Sequence, residues 1–149
     1  MNVGSGGHHP EQTPAIETTE LTTEQRIELI STQDQLIRLF GMEIEEAGEG
    51  FATVSATVHN GFLNSHQLAH GSLIFALADV AFALAVNSVI DAVGVDYSLT
   101  LFRSTRIGER ITAKCRMIHQ GKRVIVVEYE VTAAPNRLLA KGKATALPI

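Results

Sequence analysis

Apolar and polar positions recur along this chain in two rhythms, and the switches between them mark its elements. From Thr22 to Phe40, Ile27, Ile30, Leu36, Ile37 and Phe40 fall at helical spacing. That spacing predicts one helix, with Thr22 or Thr23 as its cap and Gly41 as its stop. The stretch from Glu43 to Val58 then alternates, most cleanly from Phe51 on. Ala52, Val54, Ala56 and Val58 face one way and Thr53, Ser55 and Thr57 the other, and Gly48 and Gly50 mark the turn of a hairpin. A polar loop, His59 to His70, leads into a helix from about Gly71 to Ser88 that is apolar on nearly every side. Strand-like runs follow at Val93 to Arg103, Arg110 to His119, Arg123 to Ala133 and Leu138 to Leu147. Gly108, Gln120-Gly121 and Pro135-Asn136 separate them.

The short links between the strand-like runs predict a largely antiparallel sheet. A helix that is apolar all round needs cover on several sides, which a flat sheet does not give. The expected fold is therefore α+β, an antiparallel sheet wrapped around a long central helix, which is the hotdog architecture.

The chain has 149 residues, 45% of them hydrophobic, with a net charge of −4. One domain is expected over residues 21–149, large enough to bury a core without disulfides or metal. The mild acidity argues against a general nucleic-acid binder, which needs a basic surface. The single cysteine, Cys115, precludes an internal disulfide and fits a reducing, cytoplasmic setting. It lies in an alternating stretch with no nucleophile motif around it, so it reads as a packed strand residue. Residues 1–20 are rich in Gly, Thr and Pro and poor in apolar side chains, and read as a disordered tail without a secretory signal. Gly4 to Gly7 lacks the strand and lysine of a phosphate loop. The Gly71 to Ile90 stretch is long enough to raise a membrane span. Asp79 near its centre, at roughly 3 kcal/mol on insertion scales, argues for a buried core helix instead.

Asp79 is the chemical oddity. Its helical neighbours three and four positions away are Phe75, Ala76, Phe82 and Ala83, none able to pair with a carboxylate. Such an acid is either a structural carboxyl bonded to backbone or to an arginine of another strand, or a functional group facing a cavity. Desolvation raises its pKa, which suits a general base. Just upstream, Asn64-Ser-His-Gln-Leu-Ala-His70-Gly71-Ser72 enters the helix, where free backbone N–H groups and the helix dipole suit an oxyanion. Gly71 and Asp79 are about 12 Å apart along a helix axis, too far to serve one carbonyl. If both are catalytic, the spacing favours a site shared between two subunits.

Asn64-x-His66, His70-Gly71-Ser72, Leu77-Ala78-Asp79 and Ala85-Val-Asn87-Ser88 together resemble the signature of the PaaI-type hotdog thioesterases of phenylacetate degradation. The resemblance runs on through Leu101-Phe-Arg-Ser104, Ile107-Gly-Glu109 and Ile118-His-Gln-Gly-Lys-Arg123, covering about residues 40–147. It implies hydrolysis of an acyl-coenzyme A thioester without a further cofactor, in a homodimer that assembles to a homotetramer. By the same resemblance Asp79 is general base or nucleophile, and the Gly71 N–H polarises the thioester carbonyl from the opposite subunit. Asn64 positions water or the carbonyl, and His70 shapes the adjoining loop. Two departures stand out: Ser72 replaces a usual second glycine, and Ser104 a usual proline. Ser72 is small and can still serve a helix start. Some relatives place a hydroxyl on the strand facing the aspartate, and Ser98 is the candidate here.

Arg103, Arg106, Lys122 and Arg123 are either solvated charges or, as the resemblance implies, a cluster for coenzyme A phosphates, whose geometry suits arginine. Phe62, Leu63, Phe75 and Phe82 either belong to the core or line a pocket for aryl or medium-chain acyl groups. His66-Gln-Leu-Ala-His70 imitates a zinc helix but lacks its glutamate and lies in a loop, so no metal is expected. Two other functions compete with hydrolysis. A non-catalytic acyl-CoA-binding or scaffold module fits the fold but gives no reason to bury Asp79. A hydratase calls for a histidine on the helix after Asp79, and none is there.

Overall fold

The computed structural model describes residues 20–149, so all but the final residue of the expected tail lies outside the described residues. The first helical stretch is not one helix but two, α1 (Thr23–Gln33) and α2 (Gln35–Leu39). Thr22 and Gln25 close a reciprocal capping box at the start of α1. The break falls at Asp34, whose backbone is extended and whose carboxylate accepts the Leu36 N–H at 2.9 Å. Aspartate competes with the helix for its own backbone donors, so it ends one helix and caps the next. Gly41, at φ 62°, stops α2 as the sequence predicts.

Strands β1 (Glu43–Gly48) and β2 (Phe51–Thr57) form the expected hairpin, with Gly50 at φ 78° in its turn. Ala52, Val54, Ala56 and Val58 are all buried, as their alternation predicts. A 3₁₀ turn at Asn60–Phe62 opens the loop to α3 (Gly71–Asn87). Four strands follow: β3 (Ala92–Leu101), β4 (Arg110–Gln120), β5 (Ile125–Ala133) and β6 (Arg137–Pro148). Strand β5 starts two residues later than expected because Gly121 N–H donates to the Val124 carbonyl and holds those residues in a turn.

The sheet runs β1-β2-β4-β5-β6-β3, and every pairing is antiparallel. Register irregularities in β1, β3, β4 and β5 bend it, since a bulge adds local twist and curvature. The curled sheet covers α3, where Leu73, Leu77 and Leu84 have 1% exposure or less. Burying each leucine side chain contributes about 1.5–3 kcal/mol. The four alanines buried along α3 keep its surface low, which lets strands approach closely. Among the described residues, no helix is long and apolar enough to cross a membrane.

β3 lies at an edge of the sheet with β6 as its neighbour, and it is fastened there by a tight contact. Tyr129 on β5 lies opposite Gly142 of β6, and its hydroxyl donates to the Ser98 carbonyl of β3 at 2.7 Å. A Cβ on Gly142 would collide with that same carbonyl. Gly142→Ala is therefore expected to cost about 1–3 kcal/mol, the usual range for overpacking, read as a lower urea midpoint.

Candidate active site

Asp79 sits on α3, half-buried, and joins none of the ion pairs found among the described residues. Burial pushes its carboxyl above the ordinary aspartate value; the Tyr97 phenol counters that rise, and the Asp34 carboxylate adds to it. The phenol is held well above its own usual range by burial and by Asp79 beside it. The pair stops short of a fully formed hydrogen bond, although each group shifts the other. Tyr97 is the residue that sequence reasoning missed. Ser98, the hydroxyl singled out instead, is exposed, while its neighbour Tyr97 turns inward.

Two turns earlier, the start of α3 is open. His70 occupies the N-cap position with no side-chain hydrogen bond to the helix, so it leaves the first N–H groups unclaimed, Gly71 among them. A cleft of about 290 Å³ runs past this helix start, lined by Asn64, Gly71, Arg103 and Ser104 over an apolar floor that includes Ile74 and Leu101. Asn64 is locked by its loop: its Oδ1 accepts from the backbone N–H groups of His66 (2.9 Å) and Leu68 (3.2 Å). That fixes the amide orientation and keeps its NH₂ as the group to offer a ligand. Gln67 takes φ 61° to close this loop. A Cβ on Gly71 would stand 3.0 Å from Leu101 Cδ1, so glycine keeps this approach clear.

The structure thus brings Asn64, Gly71 and Arg103 to one cleft, with His70 and Ser72 exposed at its helix end. Asp79 is about 12 Å further along α3, as the spacing requires. The four basic positions do not form one cluster within a chain. Arg103 and Arg106 follow the Leu101 end of β3, and Arg103 donates to the Leu138 carbonyl at 3.0 Å. Lys122 and Arg123 occupy the β4–β5 turn, at the opposite end of the sheet, beside the residues that pair towards Gly94.

The aromatic residues divide as well. Phe75 and Phe82 flank Asp79 one turn to either side, and both rings meet Tyr97 edge-on, at 5.3 and 5.4 Å between centroids. Phe62 packs instead against Phe40 and His59, and Leu63 joins the core margin. Burial pushes the Cys115 thiol up to about 12, which leaves almost no thiolate near neutral pH. Among the described residues, no group of three His, Cys, Asp or Glu side chains converges to hold a metal ion.

Comparison with known proteins gives this arrangement its context. The family model described as "Thioesterase superfamily" matches residues 66–140. The acyl-coenzyme A thioesterase PaaI of Escherichia coli is 36% identical over 113 residues, covering 74% of this chain and 81% of that protein. The solved structure of the E. coli PaaI protein from the phenylacetic acid degradation operon superposes with a TM-score of 0.82 at 32% identity, covering 85% of this chain and 93% of that one. A thioesterase protein of Streptococcus pneumoniae solved with coenzyme A gives 0.76 at 27% identity, over 81% and 96%. With its six antiparallel strands wrapped on one apolar helix, the chain belongs to the thioesterase superfamily, as a thioester hydrolase of the PaaI type with the hotdog fold.

Proposed function

We propose that this enzyme hydrolyses acyl-coenzyme A thioesters in sites shared between two subunits, with Asp79 as general base or nucleophile. The observation that carries the reading is Asp79 itself: a half-buried carboxyl with raised proton affinity and no cation beside it among the described residues. That a relative was solved with coenzyme A supports a coenzyme A ester as substrate.

A two-fold arrangement resolves the 12 Å gap. Residue 75 lies midway between Gly71 and Asp79, and Phe75 is the large apolar side chain of α3 that remains 37% exposed. Two copies meeting there in antiparallel fashion set Gly71 of one chain against the partner's Asp79. The free edge of β3 supports the same assembly, with Val93 at 47%, Val95 at 52% and Leu101 at 49% exposure. Antiparallel edge pairing also carries Lys122 and Arg123 of one chain towards the partner's Arg103 and Arg106, which would complete a basic rim for the phosphates. Pairs of such dimers then form the homotetramer.

In this reading the acyl carbonyl accepts the Gly71 N–H, with Ser72 and His70 framing the helix start and Asn64 holding water or the carbonyl. Asp79 takes a proton from water as the water oxygen bonds to the carbonyl carbon. Collapse of the tetrahedral oxyanion breaks the C–S bond, and the departing thiolate takes the proton back from Asp79. In the alternative route the carboxylate attacks the carbonyl and expels the coenzyme A thiolate to leave a mixed anhydride, which water then cleaves to the free acid and the Asp79 carboxylate. No cofactor enters either route. Phe75, Phe82 and Tyr97 beside the carboxyl favour an aryl or medium-chain acyl group.

Turnover of benzoyl-, butyryl-, octanoyl- and palmitoyl-CoA, read with a thiol reagent, tests the substrate class, with the first or third expected to lead. Asp79→Asn is expected to lower kcat by about 10²–10⁴-fold, and unchanged thiol release would overturn the reading. A carboxyl whose folded pKa is raised lowers stability as pH climbs through the interval between its unfolded and folded values, and the deficit persists above it. Asp79→Asn should therefore unfold at neutral pH at a urea concentration no lower than wild type.

The shared site is tested by mixing subunits. Asp79→Asn and Gly71→Val are each expected to be inactive alone. Random re-association of the two should restore about a quarter of wild-type activity, because each mixed dimer regains one intact site. Mixtures that stay inactive would assign both groups to sites within single chains.

A further inference from the structure

Asp79 has a companion that lies on a different element. Tyr97 projects from β3 across the stripe that Phe75, Asp79 and Phe82 make on α3. Its ring meets Phe75 and Phe82 edge-on at 5.3 and 5.4 Å, one turn to either side of the carboxyl. Two edge contacts of this kind fix the ring plane and its direction. The hydroxyl is seated by a second device. Gly94, on the same strand, carries no Cβ, and one placed there would occupy the position of the Tyr97 hydroxyl and press on Phe82 Cε1 at 2.9 Å. A glycine at the β3 irregularity thus leaves room for a phenol group to stand over the strand. The space is specific to a long aromatic side chain, since a serine or threonine at position 97 would not reach across to Gly94.

We propose that Tyr97 is a positioning residue for Asp79: its hydroxyl, seated over Gly94 beside the carboxyl, closes a hydrogen bond to one carboxylate oxygen in the working enzyme and leaves the other oxygen directed at the reacting water or carbonyl. The inference rests on the reading of Asp79 as the reactive carboxylate. It also goes past it, because it assigns the group that selects which oxygen reacts. Three titratable groups act on Asp79 or are acted on by it: Tyr97 from β3, Asp34 from the α1–α2 junction and Tyr129 from β5. Asp34 and burial raise the carboxyl's proton affinity, and Tyr97 lowers it. The phenol stays protonated throughout the working range, so it remains a donor whenever Asp79 is ionised. Tyr97 therefore works towards the ionised form, against two influences that favour the acid and together outweigh it.

The test is Tyr97→Phe, which keeps the ring between Phe75 and Phe82 and removes the oxygen alone. An unchanged urea midpoint checks that the packing survives. With the best acyl-CoA of the panel, kcat is expected to fall about tenfold while KM changes less than about threefold. The acidic limb of the kcat profile should move up by about one pH unit, since the carboxylate has lost a donor that favoured its charged form. Gly94→Ala, which leaves the chemistry of both side chains intact but crowds the hydroxyl out of its seat, is expected to move the limb in the same direction. An unmoved limb in both variants overturns the inference, whether or not kcat falls, because loss of packing alone leaves the proton affinity of Asp79 in place. Asp79→Asn is measured alongside. If it retains wild-type turnover, the underlying reading of the site fails; if it is inactive while Tyr97→Phe matches wild type, the role of Tyr97 alone is lost.

Discussion

The α3 helix buries Leu73, Ile74, Leu77, Val80, Phe82, Leu84 and Val86, side chains that point to several sides of its axis. Such a helix cannot rest on a flat surface without leaving apolar area in water, so the sheet has to curl until it covers the helix. The irregularities that bend the strands supply the curvature of the antiparallel β1-β2-β4-β5-β6-β3 sheet. Enclosure also decides where chemistry can occur. What the sheet leaves open is the helix start at Gly71 and the strip that carries Phe75 and Asp79, which border the β3 edge.

Within that strip, electrostatics and stability pull against each other. A carboxyl taken partly out of water resists ionisation, and a nearby Asp34 adds to the resistance. An arginine beside it would remove that resistance. The surface of this fold has several such pairs, Arg110 with Glu43 and Glu45 among them. Asp79 instead lies beside a neutral phenol, which favours the charged carboxylate without cancelling its charge. An acid kept available at some cost to folding is what a catalytic position looks like in energetic terms.

Much of this was legible in the sequence, and the failures have local causes. The strict alternation of β2 and the apolar character of α3 are properties of single elements, and both survive folding unchanged. The long first helix broke because Asp34 prefers to cap, a preference that apolar spacing on either side of it conceals. Tyr97 was missed for a question of parity. Counting by twos from the exposed Val93 turns Ser98 inward, but the irregularity between Gly94 and Asp96 shifts the phase and turns Tyr97 inward instead. The separation of Arg103 from Lys122 and Arg123 was hidden for a different reason. It depends on the run of β4, which starts level with the end of β3 and carries the β4–β5 turn to the far end of the sheet.

The position of β3 also bears on the protein's birth. The strand that carries Tyr97 has β6 as its neighbour in the sheet, and 35 residues, from Phe102 to Asn136, separate the two in the chain. At typical synthesis rates of about 5–20 residues per second, β3 waits for seconds without a ladder partner while Val93 and Val95 stand ready to pair with anything extended. The nascent chain is therefore open to aggregation at this strand until β6 has been made.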